Sequence, residues 1–190
     1  VLSSLKVKSV KTGMLYSRSI IEVVAKHLSK FRKCQLVVDP VMISSTGAPL
    51  IKPSAIKALV NSLLPIAKLV TPNLDEASTL VKQPVRDQED MREAARHIYA
   101  QFGCAVLVKG GHLKTSEAID LFYDGKEELL LSAPRSKRIS PPGTGCTYSS
   151  AITGYLAKGE PLVSAVVLAK QYITKSFENV YRAGKYNFLG

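Results

Sequence analysis

Cysteine is scarce in this chain: Cys34, Cys104 and Cys146 are the three among 190 residues, with no Cys-x-x-Cys and no histidine at ligand spacing. An odd, unclustered set supports neither a disulfide framework nor a zinc site, and it points to a reducing cytosol. No run of eighteen apolar residues occurs, so no segment reads as a transmembrane helix. A Walker A pattern and a kinase-type glycine loop are both missing, which removes the two commonest nucleotide-binding designs at the motif level. Neither an initiator Met nor a signal pattern opens the chain, which enters strand-like sequence soon after Val1 and is therefore expected to be a fragment.

What is present suits one α/β domain with a sizeable core: 46% of residues are hydrophobic and 22% charged. The 26 Lys and Arg outnumber the 15 Asp and Glu by a formal net charge of +11. This surplus is scattered rather than interleaved with aromatics. It favours anionic small molecules as ligands, with a nucleic-acid face as the weaker alternative.

Along the chain, residues 6–12 alternate as a strand ending at Gly13. Ser17 or Ser19 then caps a helix with Ile20, Val24, His27, Leu28 and Phe31 on one face. His27 reads more readily as a satisfied core histidine than as a ligand. The apolar run 35–38 has the character of a parallel strand buried on both faces and ends at Asp39-Pro40. Asp39 is either a ligand-binding carboxylate at a strand's carboxyl end or a turn initiator. Residues 43–52 read as a polar loop long enough to move over a site. A helix from Pro53 with Ile56, Leu59, Val60 and Leu63 inward stops at Pro65, and 67–70 is the next strand. Asn73 or Thr71 can cap the next helix, and Glu76 has the spacing to close a capping box with Asn73. A helix from Asp87 to Gly103, a strand over 105–108, a hairpin around Asp124-Gly125 and two final helices complete the reading, the last with Leu162, Val166, Ala169, Ile173, Phe177 and Val180 aligned.

The stretch 140–150, Ser-Pro-Pro-Gly-Thr-Gly-Cys-Thr-Tyr-Ser-Ser, organises the rest. A turn in which Gly143 and Gly145 take positive φ opens into a helix with a thiol, Cys146, at its start. Such a helix start offers N–H donors and partial positive charge to an anion. The bland alternative is a punctuated loop with a buried cysteine. Three strands end at Asp39, at Asn73 with Glu76, and at Lys109, and a parallel sheet gathers such ends at one edge. Carboxylates suit Mg²⁺, a lysine suits phosphate oxygens, and backbone N–H groups stabilise charge during phosphoryl transfer.

Val38-Asp39-Pro40-Val41-Met42, Thr71-Pro72-Asn73 with Glu76, Val108-Lys109-Gly110-Gly111-His112 and Gly143-Thr144-Gly145-Cys146-Thr147 occur here in the order found in the ribokinase-like superfamily. The chain most resembles its hydroxymethylpyrimidine and phosphomethylpyrimidine kinases of thiamine biosynthesis. The resemblance implies a three-layer αβα fold with a mostly parallel sheet, a single kinase domain over residues 1–190 lacking its N-terminal part, and a homodimer when full length. It implies ATP and Mg²⁺ as cofactors and phosphorylation of 4-amino-5-hydroxymethyl-2-methylpyrimidine and then its monophosphate. By position it places Asp39 and Glu76 at the metal, Asn73 supporting them, and Lys109 with Gly111 along the nucleotide. Gly143, Thr144 and Gly145 form the anion hole. Cys146 stands as catalytic base, its thiol brought toward neutrality by the helix start, or as a positioning group. The superfamily's opening strand and glycine-rich segment have no counterpart here, and Pro141-Pro142 replaces a polar residue common in relatives. Pyridoxal kinase, and a catalytically silent ligand-binding module, are the alternative readings.

Overall fold

The computed structural model describes residues 4–44, 48–111, 113, 115–135, 141, 143–184 and 186–189. Its centre is a six-stranded sheet: β1 (Ser9–Thr12), β2 (Gln35–Val38), β3 (Leu69–Val70), β4 (Ala105–Gly110), β5 (Glu117–Tyr123) and β6 (Glu128–Pro134), in that spatial order. The first four run parallel, so their carboxyl ends share one edge, while β5 and β6 are antiparallel additions. The parallel connections are made by α1 (Arg18–Leu28), α2 (Pro53–Ala58), α3 (Leu74–Val81) and α4 (Gln88–Phe102). Helices α5 (Thr144–Lys158) and α6 (Leu162–Ser176) and a small hairpin of β7 (Tyr181–Ala183) and β8 (Tyr186–Phe188) follow the sheet.

Side-chain alternation along the strands divides the core into two layers. Leu36, Val38, Val70, Val106 and Val108 face one way, against Ile21 and Ala25 of α1, Ala77 of α3 and Met91, Ala95 and Ile98 of α4. Val37, Leu69, Leu107 and Phe122 face the other, against Ile152 and Leu156 of α5 and Val166, Ala169 and Ile173 of α6. This is the three-layer αβα arrangement with a mostly parallel sheet that the resemblance implies.

Local differences have physical causes. Ser17, not Ser19, caps α1, and the helix turns its buried face through Ile21 and Ala25, leaving Ile20 and His27 exposed. His27 is thus not a core histidine. The helix from Pro53 does not simply stop at Pro65. It widens into a π-helical turn over Leu59–Leu63 and tightens into a 3₁₀ turn over Leu64–Ile66, because Pro65 lacks an N–H and its ring excludes regular α geometry behind it. In the loop 43–52, Ser44 N–H donates to Ala48 O and Leu50 N–H to Met42 O, each at 2.8 Å, while residues 45–47 lie outside the described residues. The last helix ends at Ser176, so Val180 lies beyond it, leading into the unanticipated hairpin β7–β8.

Candidate active site

Asp39 follows β2 at the carboxyl edge of the sheet and is 1% exposed. The alternation that sends Val37 and Leu69 toward α5 sends Asp39, Thr71 and Lys109 to the same face, and they meet. Asp39 Oδ1 accepts from Lys109 Nζ at 2.9 Å and from Thr71 Oγ1 at 3.2 Å. Oδ2 lies 3.1 Å from Ser149 Oγ and 3.6 Å from Lys11 Nζ. Ser149 Oγ also approaches the carbonyls of Gly145 at 3.2 Å and Cys146 at 3.0 Å, but its single proton serves one acceptor at a time. The Cys146 thiol lies beside Asp39 and helps to favour its charged form. Burial alone would push the Asp39 carboxyl up; the Lys109 and Lys11 ammonium groups and the thiol outweigh it and hold it below the usual carboxylate range. Asp39 is therefore an anion that collects two cations and a helix tip around itself.

Asn73 and Glu76 do form the capping box of α3: Asn73 Oδ1 accepts from Glu76 N–H and Glu76 Oε2 from Asn73 N–H, both at 2.9 Å. Glu76 is only 2% exposed, and its Oε1 accepts from Met42 N–H at 3.4 Å. Its pKa is pushed up to about 7, first by burial, with the Asp39 charge adding to it and Lys109 opposing. Capping and site membership are thus compatible. Asn73 pairs with Lys109 across a parallel bridge, and Lys109 N–H donates to Pro72 O at 2.8 Å, so the ends of β3 and β4 are locked together.

Gly143 has the positive φ expected of it, 89°, as N-cap of α5. Gly145 does not: it lies inside the first turn. Its lack of a side chain has another cause, since a Cβ there would stand 3.0 Å from Lys109 Nζ. Thr144 Oγ1 donates to Pro141 O at 2.7 Å, and Thr147 N–H to Gly143 O at 2.8 Å, so the first-turn N–H groups of Gly145 and Cys146 have no acceptor within the helix. Cys146 is the third helical residue rather than the first, and is exposed as a residue. Its thiol pKa is raised, not lowered: partial burial and then the Asp39 charge beside it outweigh Lys11 and Lys109. At neutral pH this sulfur carries its proton. Ser140, Pro142 and His112, which belong to the two motifs, lie outside the described residues.

Gly111 closes the β4 end, and among the described residues nothing lies within 4 Å of the place a Cβ would occupy. Arg135, which the sequence reading treated as scattered charge, holds this loop by donating to Gly111 O at 2.6 Å, to Thr115 O at 2.7 Å and to Leu113 O. Asp120 and Lys170 were also missed. Asp120 accepts from Gly110 N–H at 3.0 Å and from Lys170 Nζ at 2.7 Å, and Lys170 also donates to Ala118 O at 2.8 Å. The signal for Lys170 was its position four residues after Val166, inside the apolar stripe of α6. Lys11 is the other omission. A cavity of about 260 Å³ lined by Val10, Leu28, Phe31, Cys34 and Leu36 lies at the amino ends of β1 and β2, away from this cluster.

A basic, buried carboxylate network beneath a glycine-rich helix start, at the carboxyl edge of an open α/β sheet, defines an anion-handling site. The phosphomethylpyrimidine kinase family profile matches residues 1–189, and the chain belongs to that family. It is 47% identical over 174 residues to the hydroxymethylpyrimidine/phosphomethylpyrimidine kinase of Rhizobium meliloti, covering 91% of this chain and 65% of that protein. It is 42% identical over 185 residues to the thiamine biosynthesis bifunctional protein ThiED of Geobacter sulfurreducens, covering 97% of this chain and 38% of the other. Among solved structures, an ADP complex of Bacillus subtilis pyridoxal kinase superposes with a TM-score of 0.91 at 35% identity, over 100% of this chain and 72% of that one. The chain therefore spans under two thirds of the length of the first two relatives.

Proposed function

We propose that the chain transfers the terminal phosphoryl group of ATP, with Mg²⁺, to the hydroxymethyl oxygen of 4-amino-5-hydroxymethyl-2-methylpyrimidine and then to the phosphate of the product. The observation that carries this reading is the Asp39 cluster: one carboxylate binds Lys109 and Ser149, with the Cys146 thiol beside it, and so holds a lysine and a helix tip around one space. In each transfer the bond from phosphorus to the leaving ADP oxygen breaks, ADP keeps the electron pair, and a bond to the acceptor oxygen forms; in the first transfer the hydroxyl proton passes late to an oxygen of the transferred phosphoryl group and from there to solvent. Lys109 Nζ and the N–H groups of Gly145 and Cys146 meet the phosphoryl oxygens as their charge redistributes. Gly143 fixes the turn that aims those donors, and Thr144 ties it to Pro141.

Cys146 is assigned to the acceptor oxygen. Because its pKa is raised, it acts chiefly by hydrogen bonding and position, and a loose transition state asks little of a base. Asp39 and Glu76 fit Mg²⁺: they are hard oxygen donors, and the displacement of Glu76 to about pH 7 by burial and a neighbouring anion is what a dication would reverse. They would hold the metal, which supplies charge neutralisation on the phosphates, and Asn73 orients Glu76. Gly111 and Lys109 take the nucleotide side. A homodimer and a single kinase domain are included in the proposal on the family resemblance alone.

Structural likeness to a pyridoxal kinase supports pyridoxal as the second acceptor to consider. The test is ADP release with the pyrimidine alcohol, its monophosphate and pyridoxal in parallel. The reading expects both pyrimidines to be turned over; phosphorylation of pyridoxal alone transfers the assignment to vitamin B6, and none at all leaves a silent module.

A further inference from the structure

Lys11 pairs with Asp39 but takes no part in the transfer proposed above. It lies on β1, two strands away from β3 and three from Lys109 on β4, yet its ammonium reaches the same carboxylate from the opposite side. Asp39 Oδ1 faces Lys109 Nζ at 2.9 Å, whereas Oδ2 faces Lys11 Nζ at 3.6 Å. That separation is an ion pair but too long for a hydrogen bond. Among the described residues it is the only charged contact of Lys11, whose side chain is 19% exposed. A Cβ on Gly13 would stand 3.4 Å from Nζ, so the amine has climbed past its own residue to the carboxyl edge of the sheet. The Cys146 thiol, beside Asp39, is within the field of both lysines.

Resting on the reading above, we infer that Lys11 is the acceptor-side cation, and that it binds the phosphate of the monophosphate substrate in the second transfer. The two lysines divide the space around Asp39 and Cys146. Lys109 belongs with the β4 loop and Gly111 on the nucleotide side, which leaves Lys11 on the acceptor side. An alcohol acceptor brings no charge to that side. A phosphate acceptor brings nearly two negative charges toward a donor phosphate that is itself anionic, and a partly desolvated ammonium whose only charged contact among the described residues is the 3.6 Å one to Asp39 offsets that repulsion where it arises. The second transfer forms a bond between an oxygen of the acceptor phosphate and the terminal phosphorus, with ADP leaving as in the first. Lys11 is thus a substrate-binding residue that sets the ratio of the two activities.

The test compares Lys11→Met and Lys11→Arg with the unaltered protein, using both pyrimidine acceptors in steady-state assays and titration calorimetry of each acceptor without nucleotide. Lys11→Met is expected to lower kcat/KM for the monophosphate on the order of 100-fold but for the alcohol only about 5-fold, through the weakened Asp39 pairing. It is also expected to raise the Kd of the monophosphate at least about tenfold. Lys11→Arg, which keeps the charge, should recover most of the second activity. If Lys11→Met slows both transfers by one factor while the unaltered protein performs both, Lys11 merely braces Asp39 and the inference is overturned while the kinase reading stands. If the unaltered protein uses neither acceptor, the kinase reading itself falls and takes this inference with it.

Discussion

Replacing Asp39 by Asn is the sharpest perturbation of the cluster, because it keeps the shape and removes the charge. At 2.9 Å and 3.6 Å the two lysine contacts correspond to gross attractions of about 6 and about 5 kcal/mol at an effective dielectric of ~20. The cost of burying Asp39 offsets much of this, and the lysines, 13% and 19% exposed, recover some hydration when the anion is lost. An asparagine amide also still accepts from one neighbour. Breaking a fully buried pair costs about 3–5 kcal/mol, so the net loss here should be about 2–4 kcal/mol. With a urea m-value of about 2 kcal/mol/M, the unfolding midpoint falls by roughly 1–2 M. The native pKa of Asp39 lies below its unfolded value, so its contribution is fully present above the unfolded value and is lost as pH falls through the native one. The difference between the two proteins should therefore shrink below about pH 4, and it should also narrow as pH rises through 7, because the Asp39 charge is one cause of the raised Glu76 pKa that Asp39→Asn removes. Adding Lys109→Met to Asp39→Asn should cost less than the sum of the single changes. A midpoint shift below about 0.3 M, or strict additivity, would refute the claim that Asp39 is the anion holding the site together.

Glu76 has the opposite linkage. Its native pKa, about 7, lies above its unfolded value, so its favourable contribution is present at acid pH and is lost as pH rises through 7; Glu76→Gln should accordingly gain on the unaltered protein between pH 5 and pH 8 in thermal unfolding, and a constant difference contradicts this. Lys170→Met, leaving Asp120 buried and unpaired, should cost about 3–5 kcal/mol in urea unfolding, with Asp120→Asn in the same chain recovering part of it; a loss under about 1 kcal/mol would remove the pair from the list of structural anchors. Alkylation followed by mass spectrometry should modify exposed Cys146 before half-buried Cys34 and leave Cys104, buried with its pKa pushed up to about 12, untouched in the native protein. Nucleotide should slow the reaction at Cys146, and labelling of Cys104 first would contradict the packing described.

The architecture was readable where one strong local signal decided the outcome. Apolar runs at 35–38 and 105–108 gave parallel strands, Asp87 and Gly103 bounded α4, and Asn73 with Glu76 made the capping box their spacing predicts. The site was readable as far as polar residues followed buried strands. It was not readable at Lys11, Lys170 and Arg135, because a lysine or arginine in sequence carries no mark of which partner its long side chain will reach. Gly145 shows a second limit: its glycine character comes from the approach of Lys109, a contact between residues far apart in the chain, and not from its own φ. For the same reason the raised pKa of Cys146 was invisible, since it depends on partial burial and on Asp39 lying beside the sulfur.

The most direct measurement is a crystal structure of the protein with AMP-PCP, Mg²⁺ and the pyrimidine alcohol. The account predicts the terminal phosphate within hydrogen-bonding distance of Lys109 Nζ and Gly145 N–H, and the hydroxymethyl oxygen beside Cys146 Sγ. A nucleotide bound elsewhere, or an acceptor oxygen far from Cys146 with the phosphate away from α5, would contradict it.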